Sequence, residues 1–505
     1  MRIAVVLLAA AMVLGTAAAW AGSNADLRPE WSVGQDLVSA ASLAVTPPIA
    51  APKSLTLREA VNLALARNTG FRAAINNLLS AREALYVARK QWHLVLTTTA
   101  TKDQGSDLST EFGGALDYSL FTGANFSVTA ELDRLGSQES SDTITANVRQ
   151  PLLAGAGSAS NAYESVRAAR NAYRSALLEY FMSRQNLILS VVNSYFSVVQ
   201  QRESVKIQKE RVQLAEQTVK EMKIRLDEGM IIEVDLLNAQ QQLASAQAAE
   251  VQTKQSYEEA MDQLMLQLGL KIGGVSELVS EVEYRPEPQD LEADTQQALK
   301  LRPELRLAEL AIENGEAAVR IARSHRLPTL DLLGSWQRFS NSATDSTWSV
   351  GLGASVPIGA RELQQNYLES QWALLLARQS LEDTRQQVVA DIRSQVRAAG
   401  AAQLQVDLAD QGVKIADRTV LQSKRLVEED LRTNRDLLDA QNNLRDSKLG
   451  LLNSKTNYFL AMMRLKVAMG LDVAVALPQD APPAAPPAQP APAPSTAPEP
   501  PRSKG

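Results

Sequence analysis

The chain has 505 residues, a formal net charge of −6, two histidines and no cysteine. Without cysteine, disulfide bonds and a lipid attached to a cysteine at the mature N-terminus are excluded, and two imidazoles argue against a histidine-based metal site. An acidic chain without a basic run has no electrostatic footprint for nucleic acid. We therefore expect no cofactor, no metal ion and no nucleic-acid partner.

The N-terminus has the composition of a secretory signal. Arg2 precedes an apolar run from Ile3 to Leu14, and a small-x-small triplet, Ala19, Trp20 and Ala21, marks the expected cleavage site. The run is shorter than the roughly 20 residues that a membrane-spanning helix needs, and no later segment approaches that length. We predict a signal peptide over 1–21, a poorly ordered lead-in over 22–53, and any membrane crossing by β-strands that close into a barrel.

Two copies of one unit make up most of the chain. The segment 217–270 aligns without a gap on 418–471, and a shorter match links the run from Ala64 to the run from Ala298. Identical pairs in the long alignment include Asp235 and Asp436, Tyr257 and Tyr458, and Gly269 and Gly470. We predict a first repeat over 54–270, a linker over 271–294, a second repeat over 295–472 and a Pro/Ala-rich disordered tail over 473–505.

The helices are expected to be unusually long. Ser158 to Glu228 contains neither Pro nor Gly, which gives a helix of roughly 107 Å, and 361–429 is its counterpart. Two shorter predicted helices match each long one in summed length; they cover 56–91 and 231–269, then 295–325 and 432–469. Each pair can stack end to end against its long helix. A seven-residue seam from Leu437 to Leu465, with small residues between, predicts close, left-handed supercoiling, although a solid bundle would show the same seam.

Alternating apolar residues predict two strands in the second repeat and more in the first. The first repeat has a surplus of about one hairpin, within about residues 104–134. We expect this hairpin to project away at the extracellular end; the alternative is six strands per chain and an 18-strand pore. Four strands per chain, or six, are fewer than the eight or more that close a membrane barrel, so several chains must contribute to one barrel.

The duplicated order of helix, strands, long helix, tip and return helix resembles the TolC family of outer membrane efflux proteins over about residues 54–472. Four motifs carry the resemblance: VRQPLLAGAG from Val148, SVPIGAR from Ser355, RLDEGMIIEVDLLNAQ from Arg225 and RLVEEDLRTNRDLLDAQ from Arg425. It implies a mostly α protein whose antiparallel coiled-coil helices form an α-barrel, continued by a β-barrel that three chains share.

The same resemblance implies location and partners. It implies a homotrimer in the lipid of the outer membrane that extends into the periplasm and works with a periplasmic adaptor protein and an inner-membrane transporter. It implies transport, by efflux or type I secretion, and no enzymatic activity. A periplasmic coiled-coil or adhesin without a channel is the alternative from another class.

The tips carry the candidate site residues. The resemblance implies a ring of carboxylates at the periplasmic constriction formed by Asp436 and Asp439, a gate-holding Arg432, and a partner Asp235 in the first tip. Without the resemblance, charges in such positions more often belong to a solvated helix face than to a pore. As breaks in otherwise continuous rods, the tips are also expected to dock the adaptor, through Arg225, Leu226, Gly229, Met230, Arg425, Leu426 and Leu431.

One motif points elsewhere and is rejected. Gly155 and Gly157 follow a strand and precede a helix, as in a dinucleotide-binding fingerprint, but the third glycine is replaced by Ser160. We expect a turn with Ser158 or Ser160 as the helix cap.

Overall fold

The computed structural model describes residues 54–90, 92–101, 109–135, 141–230, 232–273, 277–278, 284–339, 346–429 and 434–476. The predicted signal peptide, the lead-in and residues 477–505 of the predicted tail lie outside these ranges. Within the described residues, no helix combines the length and the apolar composition that a membrane span requires.

The described helices are α1 (Leu57–Arg67), α2 (Thr69–Lys90), α3 (Asn161–Asp227), α4 (Glu233–Leu268), α5 (Leu291–Leu301), α6 (Pro303–His325), α7 (Arg361–Glu428) and α8 (Asn434–Ala468). Helices α3 and α7 contain 67 and 68 residues, so each is about 100 Å long. No proline interrupts either helix, and the two glycines of α7 do not end it. The prediction of two very long helices is confirmed.

The first predicted helix of each repeat is broken in two. Asn68 separates α1 from α2 with a ψ of 124°, and Arg302 separates α5 from α6 with a ψ of 127°. Pro303 holds Arg302 in an extended conformation. Asn68 caps α2, because its Oδ1 accepts a hydrogen bond from the Phe71 amide at 3.0 Å. The prediction of one continuous helix at each place is therefore wrong.

The short helices lie along the long ones as predicted. Helices α2 and α4 both pack on α3, and α6 and α8 both pack on α7. Gly269, after α4, has a φ of +66°, and a Cβ there would be 2.8 Å from the carbonyl oxygen of Arg67. Gly470, after α8, has a φ of +78° and contacts Leu301 in the same way. Each glycine thus lets the end of a return helix reach the break between two short helices.

Four helices lie abreast at every level. Helices α2, α3, α6 and α7 contact one another in this order beside the sheet, and α4, α3, α8 and α7 do so farther away. The core of the second repeat joins Val388 and Ile392 of α7 to Tyr458 and Leu465 of α8. Tyr458 and Leu465 of the predicted seam are therefore buried between these helices, whereas the seam leucines nearer the tip are half-buried.

The sheet contains six antiparallel strands, and their order across the sheet follows their order along the chain. Its strands are β2 (Trp92–Thr101), β3 (Ser109–Ser119), β4 (Asn125–Leu135), β5 (Ser141–Pro151), β7 (Thr329–Phe339) and β8 (Thr347–Ser355). Two short strands, β1 (Ser54–Leu55) and β6 (Glu277–Leu278), pair in parallel elsewhere. The β5–β7 pair joins the repeats, and there Arg149 donates two hydrogen bonds to Asp331, at 3.1 and 2.7 Å.

The extra hairpin of the first repeat does not project away from the sheet. It is β3 and β4, which lie between β2 and β5 and pair with their neighbours along nearly their whole length. The turn between them returns to the helical side of the sheet. Our expectation of a separate, extracellular hairpin is wrong, because alternation of apolar residues reveals a strand but not its neighbours.

The corner between the sheet and α3 is a capped turn, as predicted. The Ser160 hydroxyl accepts a hydrogen bond from the Tyr163 amide at 3.2 Å and so caps α3. Gly155 and Gly157 have φ values of +76° and +59°, which glycine adopts without strain. The glycines therefore shape the corner.

Two predicted boundaries need correction. Helix α5 begins at Leu291 inside the predicted linker, because Asp290 caps it by accepting the amides of Glu292 and Ala293. At the other end, Val473–Ala476 form a 3-10 helix inside the predicted tail. Val473 is buried and its amide donates to Gln185 at 3.1 Å, so the packed part of the chain extends past residue 472.

Candidate functional site

Two turns reverse the chain between long and return helices. The first tip (225–235) joins α3 to α4, and the second tip (425–439) joins α7 to α8. In the first tip Gly229 has a φ of +71°. Its amide donates a hydrogen bond to the Leu226 carbonyl at 2.9 Å, and the Met230 amide donates one to the Arg225 carbonyl at 2.8 Å. This pair of bonds is a Schellman motif, which ends a helix at a left-handed residue. The four predicted docking residues of this tip therefore lie in one turn.

The first tip exposes apolar side chains. Met230 is 70% exposed, Ile232 66% and Val234 56%. A Cβ added at Gly229 would meet no atom within 4 Å. Single exposed apolar residues are ordinary, but several in one turn are typical of an interaction surface.

The second tip is described on both sides of its centre. Arg425 is exposed, Leu426 is half-buried, and the Glu429 amide donates to the Arg425 carbonyl at 3.0 Å as α7 ends. Residues 430–433, which include Leu431 and Arg432, lie outside the described residues. The roles predicted for those two residues stay predictions.

The predicted gate carboxylates lie at helix starts. Asp436 is half-buried in the first turn of α8, and Asp439 is exposed one turn later. Residues three apart share a helix face, so these two carboxylates lie together. Asp235 is exposed in the first turn of α4, at the matching place in the first tip. A carboxylate is favourable in this position because the start of a helix carries partial positive charge.

Two ion pairs between α3 and α8 were not predicted. The Arg211 guanidinium lies 2.9 Å from both carboxylate oxygens of Asp446, and Arg445 lies 2.7 Å from Glu210. Their order is reversed on the two helices, so each positive residue faces a negative one. The only signal of this contact in the sequence was that each helix has an acidic and a basic residue side by side. Partly exposed pairs of this kind contribute at most about 1 kcal/mol each, so they align the two hairpins more than they stabilise them.

The sheet has one apolar and one polar face. Successive side chains of a strand alternate between faces, and directly paired residues share a face. One face therefore carries Leu116, Val128, Ala146, Trp336 and Trp348, which are linked in one row across five strands. The opposite face carries mostly small polar residues, and there the hydroxyls of Ser335 and Ser349 lie 2.8 Å apart across β7 and β8.

The described residues contain no group of three side chains able to hold a metal ion. The carboxylates at the tips can instead attract cations and repel anions, over the short range that salt screening allows.

A family model described as "Outer membrane efflux protein" matches residues 60–270 and 295–471. No curated protein matches the chain in sequence. Among solved structures, the chain is similar to the CmeC outer membrane channel of Campylobacter jejuni, with 17% identity, a TM-score of 0.62, and coverage of 82% of this chain and 85% of that one. It is also similar to the outer membrane protein VceC of Vibrio cholerae, with 16% identity, a TM-score of 0.61, and coverage of 82% and 96%. The chain is similar as well to the open state of the MtrE outer membrane channel of Neisseria gonorrhoeae. The identity is 17%, the TM-score is 0.59, and the match covers 82% of this chain and 89% of that one. At these identities the structural likeness establishes the fold.

Proposed function

The chain belongs to the outer membrane efflux protein family, and on that premise we propose that it is the subunit of a homotrimeric channel that carries solutes from the periplasm across the outer membrane. The family places the protein in the outer membrane. The proposed role is conduction, with no chemical step.

The sheet carries this proposal. Its apolar face suits lipid and its polar face suits a water-filled lumen, as in membrane barrels. Its edge strands β2 and β8 have no further partner in the described chain, and an open edge is not tolerated in the hydrocarbon region. On β8, Trp348 is 77% exposed. Six strands are fewer than the smallest membrane barrel contains, so the edges must pair with other copies.

The long helices support assembly at the same interface. Helix α7 exposes a row of large apolar residues, namely Trp372, Leu375, Leu376, Leu404 and Leu408. Such a row needs cover from another helix. A neighbouring copy would cover α7 and extend the layer of four helices into a closed tunnel.

Gating is assigned to the second tip. Around a threefold axis, Asp436 and Asp439 of three copies form the narrowest ring, and Arg432 holds the ring shut. Asp235 of the first tip is the proposed partner of that arginine. The positions of Asp436 and Asp235 in the first turns of α8 and α4 support this assignment.

The tips are assigned a second role in docking. Gly229 and the exposed side chains of Met230 and Ile232 fit a helical hairpin of a periplasmic adaptor, which in turn connects to an inner-membrane transporter. A helix-in-groove contact uses apolar anchors of this kind. Arg425, Leu426 and Leu431 of the second tip belong to the same proposed surface.

Fractionation and single-channel recording test the proposal together. The protein should be found in the outer-membrane fraction, as trimers that survive mild detergent, and should conduct in planar bilayers. A soluble monomer in the periplasmic extract would support the coiled-coil alternative instead. Deleting the gene then separates the two cargoes: efflux predicts hypersensitivity to small toxic compounds, and secretion predicts loss of an extracellular polypeptide.

A further inference from the structure

We propose that β3 and β4 form part of the membrane wall and widen the barrel, so that three copies close an 18-strand barrel lined by Asp117 and Glu131. This inference rests on the trimer proposed above. A hairpin outside the barrel needs none of the features of a membrane wall. A segment of the wall needs one apolar and one polar face, a fixed connection to the helices and a width that fits the helical layer.

The two faces of β3 and β4 continue those of the other strands. On the apolar face, Tyr118 pairs with Phe126, which pairs with Val148 of β5. On the polar face, Asp117 pairs with Ser127, which pairs with Asn147 of β5. An appendage in water has no reason to keep one face apolar in register with its neighbours. A wall segment between lipid and lumen requires it.

The turn between β3 and β4 is anchored to the corner that leads into α3. The Gly157 amide donates to the Thr122 carbonyl at 3.0 Å, and the Ser160 hydroxyl donates to the Phe121 carbonyl at 2.9 Å. Ser160 also caps α3, so one side chain holds both the turn and the helix. A Cβ at Gly123 would lie 2.6 Å from the Gly155 carbonyl oxygen. This contact requires glycine at position 123, because there is no room for a side chain there.

The width of the sheet matches the width of the helical layer. Strands about 4.8 Å apart and tilted by about 40° each take up about 6.3 Å of circumference. Six strands therefore span about 38 Å, whereas four would span about 25 Å. Four helices abreast, at about 9 to 10 Å each, span about 36 to 40 Å. Three copies of the six-stranded sheet would form a barrel about 36 Å across between backbones.

The polar side of the insert also changes the charge of the lumen. Asp117 and Glu131 lie on the polar face because they alternate with Leu116 and Ala130. Elsewhere on that face, Arg149 and Asp331 neutralise each other. Among the side chains that the structure describes, the inserted strands thus add Asp117 and Glu131 to this face, which favours neutral or cationic solutes over anions in this wider segment.

Single cysteines can test the placement, because the natural chain has none. In trimers reconstituted into liposomes, a membrane-impermeant maleimide should label Thr129→Cys but not Val128→Cys in β4. Ser349→Cys and Val350→Cys in β8 are the matched controls and should give the same contrast. Equal labelling of both β4 positions, with contrast retained in β8, would overturn this inference and leave the channel intact. Loss of contrast in both strands would refute the proposed channel itself.

A strand count gives the second test. Electron cryomicroscopy of trimers in nanodiscs should show 18 strands, and 12 after deletion of residues 109–135, which leaves β2 to pair with β5. A wild-type barrel of 12 strands with β3 and β4 outside it would overturn the proposal even if the deletion variant failed to fold.

Discussion

Replacing Gly229 with tryptophan should abolish transport without dissociating the trimer. A tryptophan there must keep a φ near +71°, which costs about 1 to 2 kcal/mol for a residue with a Cβ. No atom lies within 4 Å of the added Cβ, so the Cβ itself adds no steric clash among the described residues. That cost is small beside the about 5 to 15 kcal/mol that stabilises a typical folded protein. The bulky ring would instead obstruct the exposed surface on which the adaptor is proposed to dock.

Gly273→Trp is the matched control. Gly273 has a φ of +85° and also has no atom within 4 Å of an added Cβ, but it follows the far end of α4. Both variants should run as trimers in mild detergent, and only the Gly229 variant should lose substrate export from whole cells and crosslinking to the adaptor. Retained export in both would refute docking at the first tip. Loss in both would show that backbone strain is responsible.

Two further predictions concern the gate and the helix ends. Carboxylates about 6 Å apart repel by about 2 to 3 kcal/mol at an effective dielectric of 20, so replacing Asp436 and Asp439 with alanine should reduce cation selectivity and block by multivalent cations in planar bilayers. Arg432→Ala should raise conductance by loosening the closed state; unchanged selectivity and conductance would place these residues on the solvated outer face. Gly470→Ala should destabilise the fold by about 2 to 4 kcal/mol, from its left-handed backbone and its contact with the break between α5 and α6. Gly450→Ala, inside α8 with open space around it, should stabilise by about 1 kcal/mol; equal thermal midpoints by circular dichroism would contradict the proposed close contact.

The repeats, the long helices and the existence of the strands could be predicted from the sequence alone. Helix α3 ends where the first glycine after Ser158 occurs, because uninterrupted helix-forming residues propagate one backbone bond at a time. Gly269 and Gly470 could be matched across the repeats because a left-handed helix end needs glycine wherever it recurs. Asp235 and Asp436 were found in the same way, and each lies in the first turn of its return helix.

Which strands are neighbours and how the helices meet could not be predicted from the sequence and became clear from the folded chain. Alternation assigned β3 and β4 as strands, but the hydrogen bonds of a strand lie in the plane of the sheet and leave no trace in the side-chain period. At the break beside Asn68, a Cβ on Gly269 would be 2.8 Å from the Arg67 carbonyl oxygen, so this break meets a residue about 200 positions away. The ion pair of Arg211 with Asp446 likewise forms only when two hairpins from different repeats pack together. Contacts between distant segments depend on how the whole chain packs, so no local pattern could reveal them.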